Sequence, residues 1–63
     1  MTYTIEEFFL LFSNYKKEVM IFIFQDWKYL KQPAVEKLRN GQTFMVYGVE
    51  YVKTNDHIHM VRG

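Results

Sequence analysis

No cysteine occurs in the 63 residues, so no disulfide can brace the fold and no thiolate is available as a nucleophile or metal ligand. The two histidines alone are too few for a structural zinc site. A chain this short buries only about 60% of the surface its unfolded state exposes, and with disulfide and zinc removed the remaining route to extra stability is oligomerisation. Charge of one sign is also lacking. Eight Lys and Arg against seven Asp and Glu leave a formal net charge of +1, which gives no overall field for nucleic acid or anionic lipid. Long apolar runs are absent too: FFLLF and VMIFIF fall far short of the ~20 residues that span a bilayer, and no signal-peptide pattern opens the chain. The expectation is one soluble, cytoplasmic domain over residues 1–63, without a membrane partner.

What the chain does have is aromatic side chains. Six Phe, five Tyr and one Trp supply large apolar surfaces, and this composition argues against disorder.

Thr4-Ile5-Glu6-Glu7 has the Thr-x-x-Glu spacing of a capping box and predicts a helix from Ile5. Ile5, Phe8, Phe9, Phe12 and Tyr15 recur at three- and four-residue steps and trace one apolar stripe. Leu10 points away from that stripe, into water or against a second surface. Ser13, Asn14, Lys16 and Lys17 end the helix. VMIFIF, Val19–Phe24, then reads as a strand with both faces apolar, because β-branched and aromatic residues alternate through it. Lys16, Lys17, Glu18 and Asp26 flank it as charged guards against aggregation. Pro33 at a first turn and Asn40-Gly41 as a stop predict a short helix from Pro33 to Asn40.

Beyond Gln42, the segments TFMVY, VEYVK and HIHMV read as strands. Gly48 is either a bulge in one long strand or part of a tight Tyr47-Gly48 turn, the bulge being preferred. An Asn55-Asp56 hairpin turn sets Lys53 opposite Ile58, Tyr51 opposite Met60 and Val49 opposite Arg62. Val49, Tyr51, Ile58 and Met60 then share the core face, and Glu50, Val52, His57, His59 and Val61 the other.

These elements predict an α+β fold: an N-terminal helix packed on a small, mostly antiparallel sheet of three to four strands, with a second short helix. A two-layer domain leaves one face of VMIFIF uncovered. Either the short helix crosses to that face or another molecule covers it, and a two-fold homodimer is the favoured cover.

Site chemistry is sparse. His57 and His59 stand two apart on one strand face, with Asp56 or Glu50 as a conceivable third metal ligand, but solvated side chains are the commoner outcome for such a pair. Ser13 is the only serine and has no base beside it. The expectation is therefore a non-enzymatic protein without metal or cofactor. Leu10, Met20, Phe22, Phe24, Trp27 and Tyr29 are of the types enriched at interface cores and form the expected protein interface.

The alternative is a small nucleic-acid-binding regulator. Trp27, Lys28, Tyr29 and Lys31, joined by Lys37 and Arg39, interleave rings with cations, and the order helix, strand, short helix, hairpin is similar to that of winged-helix proteins. The segment GQTFMVYGVEY resembles a hairpin pattern found in many small bacterial and phage proteins. By analogy, a short domain without site chemistry fits a phage or mobile-element inhibitor that works by occupying the surface of a host protein.

Overall fold

The computed structural model describes residues 1–13 and 17–62. Eight elements follow one another: β1 (Thr2–Thr4), α1 (Ile5–Phe12), β2 (Val19–Ile23), β3 (Asp26–Leu30), α2 (Gln32–Glu36), β4 (Thr43–Val46), β5 (Val49–Thr54) and β6 (His57–Arg62). All six strands form one antiparallel sheet in the order β1-β6-β5-β4-β2-β3.

This corrects the expected sheet of three to four strands under an N-terminal helix. Two strands had not been expected. β1 precedes the helix and pairs with β6, Tyr3 lying opposite Ile58. Its partner is more than fifty residues away, and a three-residue strand carries no local pattern that would announce it. β3, Asp26–Leu30, forms because Phe24 and Gln25 reverse the chain in two residues and set Ile23 opposite Asp26. Both turn residues have positive φ, 52° and 65°, the left-handed geometry for which Asn-Gly is the usual signal. The sequence lacks that signal here.

The capping box forms as expected. The Glu7 amide donates to Thr4 Oγ1 at 3.1 Å and the Thr4 amide donates to Glu7 Oε1 at 2.9 Å, so two otherwise unpaired donors at the helix start are satisfied. α1 buries Ile5, Phe8 and Phe9 against the sheet, with Phe12 partly covered. Asn14, Tyr15 and Lys16, assigned to the stripe and its end, lie outside the described residues. α2 is shorter than expected, stopping at Glu36. Asn40-Gly41 forms a separate turn in which Asn40 Oδ1 accepts from the Asn55 amide at 2.7 Å.

Val35 of α2 joins the same buried cluster as α1, and the two helices touch. The second helix therefore does not cross to the far face of β2. Val19, Ile21 and Ile23 point toward the helices and are buried with Phe44, Val46, Tyr51 and Ile58, which together form the core. Among the described residues no helix is long and apolar enough to cross a membrane.

Gly48 belongs to a turn, not a bulge: Tyr47 and Gly48 have φ of 50° and 81° and join β4 to β5 with Val46 opposite Val49. The bulge lies further on. Tyr51 faces Met60 and Lys53 faces Ile58 as expected, but Glu50, not Val49, faces Arg62, which leaves Val61 as the extra residue.

Lys53 is the buried charged residue among the described ones, 6% exposed, its stem lying on the core face beside Ile58. Burial pushes the Tyr51 hydroxyl above its ordinary value near 10, with Tyr3 adding to the effect. The fold thus favours the neutral phenol: its contribution to stability is complete below pH 10 and is lost as pH rises beyond it. The thermal midpoint is expected to drop between pH 9 and pH 11.5, and Tyr51→Phe to flatten part of that drop. An equally steep drop in Tyr51→Phe would assign the effect to other groups.

Candidate functional site

Side chains alternate along a strand, so a sheet whose core side is filled by helices shows the remaining half of its residues on the other side. Here no helix of the described residues covers that side. The register brings Met20 opposite Tyr29, Phe22 opposite Trp27, and Phe22 opposite Met45, which places all five on the open face across β3, β2 and β4. The Phe22 and Trp27 rings lie 4.8 Å apart, tilted by 43°. Trp27 is 50% and Tyr29 57% exposed, and Phe24, at the tip of the same hairpin, is 79% exposed.

Across β5, β6 and β1 the same face turns polar. A row runs Thr43, Val52, His59, Thr2, each opposite the next. His59 sits at its centre with both ring nitrogens engaged: Nδ1 lies 2.9 Å from Thr2 Oγ1 and Nε2 2.6 Å from Thr54 Oγ1. One imidazole therefore ties three strands together, and a threonine hydroxyl, able to donate or accept, suits either tautomer. His59→Phe keeps a ring but removes both hydrogen bonds, and is expected to cost about 1–2 kcal/mol. It should also speed amide exchange in Thr2–Thr4, since among the described residues β1 has only β6 beside it. Unchanged exchange there would show that His59 does not hold β1 to the sheet.

His57 Nδ1 pairs with Asp56 Oδ1 at 3.0 Å. His57 and His59 share a face as the sequence required, yet no third His, Cys, Asp or Glu joins them in a metal-holding group among the described residues.

The expected interface residues divide in two. Met20, Phe22, Trp27 and Tyr29 come together, with Phe24 at their edge, whereas Leu10 lies in the helix layer on the opposite side of the sheet. It is 72% exposed, pointing away from the apolar stripe as its helical spacing predicts, and it is not part of this patch. Met45 was missed. Its signal was the alternation of Phe44-Met45-Val46, whose outer members are buried and whose middle one must face the other way.

The nucleic-acid set divides as well. Trp27 and Tyr29 face the open side, while Lys28, opposite Ile21, projects to the helix side. Lys31 caps α2 and Lys37 follows it, both beside a groove next to that helix, and Arg39 lies exposed beyond α2. The charged pair that the register sets on or beside the open face is Glu50 with Arg62, which cancels. Rings that stack bases need cations alongside the same strand path, and here the lysines are on the other surface.

No protein-family model, curated protein or solved structure matches the chain.

Proposed function

We propose that the chain is a non-enzymatic protein-binding module whose docking surface is the aromatic half of its open sheet face, and that a second copy of itself is one occupant of that face. The observation supporting this reading is the patch of Met20, Phe22, Trp27, Tyr29 and Met45, apolar across three strands and without a covering layer. Interface cores are enriched in such residues, and the largest apolar patch on a soluble monomer, about 300–600 Å², is often functional.

Its size sets the expected strength. At roughly 150–250 Å² per ring, the exposed parts of Trp27 and Tyr29, together with Phe24 at the edge of the patch, amount to about 350 Å², to which the half-buried Met20, Phe22 and Met45 add a smaller share. A standard stable interface takes about 800 Å² from each partner. The patch alone thus supports weak, concentration-dependent association rather than a permanent dimer.

Light scattering over a concentration series tests this. The expected result is a mass that rises above the 7.7 kDa of one chain as concentration increases and stays at 7.7 kDa in Trp27→Glu. A mass of one chain at every concentration would overturn self-association. Rising mass that Trp27→Glu leaves untouched would move the docking surface elsewhere.

A further inference from the structure

β3 ends the sheet and is bonded to β2 alone among the described residues. A two-residue turn closes on a hydrogen-bonded pair, here Ile23 with Asp26, and bonded and non-bonded pairs then alternate along the ladder. Asp26, Lys28 and Leu30 therefore bond inward to β2. The N–H and C=O groups of Trp27 and Tyr29 turn outward, a ready template for one more strand.

Side chains along this edge differ sharply between the two faces. Trp27 and Tyr29 continue the apolar patch. On the helix side Lys28 lies opposite Ile21 and has no carboxylate partner among the described residues. Beyond it Lys31 and Lys37 flank an open groove of about 470 Å³ lined also by Tyr29, Leu30 and Pro33, with Glu18 as its carboxylate.

We propose that an extended segment of another protein adds to β3 as a seventh strand, with an acidic side chain opposite Lys28 and apolar side chains on either side of it, against Trp27 and Tyr29. This rests on the protein-binding reading and supplies what the patch lacks: main-chain hydrogen bonds in addition to the apolar contact of Trp27 and Tyr29. Lys28 also selects the occupant. A second copy laid antiparallel over the full length of β3 would set Lys28 against Lys28 at the closest type of cross-strand pair, where like charges repel. An acidic side chain there is attracted, so one lysine rejects self-pairing at this edge and admits the partner.

The test uses three probes against the full chain, followed by NMR: a capped peptide with a Val-Glu-Val centre, the same peptide with Val-Lys-Val, and a thymidine oligonucleotide. The glutamate peptide is expected to bind, to slow amide exchange at Trp27 and Tyr29, and to bind about tenfold more tightly than the lysine peptide. Lys28→Glu, an exposed change that leaves the core intact, is expected to reverse that preference. Equal binding of both peptides, or binding without protection at Trp27 and Tyr29, would overturn strand addition. If both peptides fail while self-association remains sensitive to Trp27→Glu, strand addition falls and the docking face stands. Binding of the oligonucleotide alone would overturn both.

Discussion

Phe8→Ala is expected to leave half or more of the molecules unfolded at 25 °C. Phe8 is fully buried and meets four rings: Phe12 at 4.9 Å, Tyr51 at 5.1 Å, Phe44 at 5.8 Å and Tyr3 at 6.3 Å between centroids. These neighbours come from α1, β5, β4 and β1, so one side chain fastens the helix to the sheet and gathers strands that are far apart in sequence. Truncating a buried Phe to Ala typically costs about 3–5 kcal/mol, the lost burial plus the cavity left behind. A domain of this size without a disulfide has about 3–5 kcal/mol in total. The loss equals the reserve, so circular dichroism should report a collapsed signal, whereas Phe8→Leu, which refills most of the volume, should fold at a cost of about 1–2 kcal/mol. A Phe8→Ala variant that unfolds cooperatively within a few degrees of the parent would show that the ring cluster is not what fastens α1 to the sheet.

How much of this architecture was legible in the sequence depends on the distance over which each signal acts. The capping box of Thr4 and Glu7 and the strand at VMIFIF were readable because their evidence is confined to a few neighbouring residues. The register from Lys53 to Met60 was readable because a two-residue turn fixes the residues nearest to it; it failed at Glu50, past the bulge, where turn geometry no longer governs. β1 was hidden because its strand partner among the described residues is β6, more than fifty residues away. β3 was hidden because Phe24-Gln25 is poor turn chemistry, and a turn with no turn residue reads as a connection. Missing both strands produced the undersized sheet.

The candidate site was legible by residue type more than by place. Met20, Phe22, Trp27 and Tyr29 could be named as candidate interface residues from their chemistry, but that Trp27 stands opposite Phe22 follows only once β3 is a strand. The same step separates Lys28 from Trp27 and Tyr29. Interleaving along the chain looked like one mixed patch; alternation across a strand turns it into two surfaces of different character. Leu10 shows the converse. Its exposure could be inferred from helical spacing, while its separation from the aromatic patch depends on which face of the sheet the helix covers.

Replacing Phe24-Gln25 by Asn-Gly is expected to stabilise the fold and weaken its associations. The left-handed region costs an ordinary L-residue about 1–2 kcal/mol, and both residues occupy it, at φ of 52° and 65°. Asn-Gly suits that turn, although glycine adds about 0.5–1 kcal/mol of unfolded-state entropy that folding must overcome. The balance favours the variant by about 1–2 kcal/mol, a rise in melting temperature of roughly 5–15 °C for a domain this small. Tyr47 provides the contrast. It too has positive φ, but its ring lies 6.4 Å from that of Phe12, so strain there is set against packing within the chain. Phe24 is 79% exposed, and no ring of the described residues meets it. Strain that folding leaves uncompensated is typical of residues held for contact with something else, and Phe24 stands at the tip of the hairpin that presents Trp27 and Tyr29. The double variant should therefore melt higher while showing less rise of mass with concentration than the parent. Higher stability with undiminished association would make Phe24 an accident of turn composition, and lower stability would refute the strain itself.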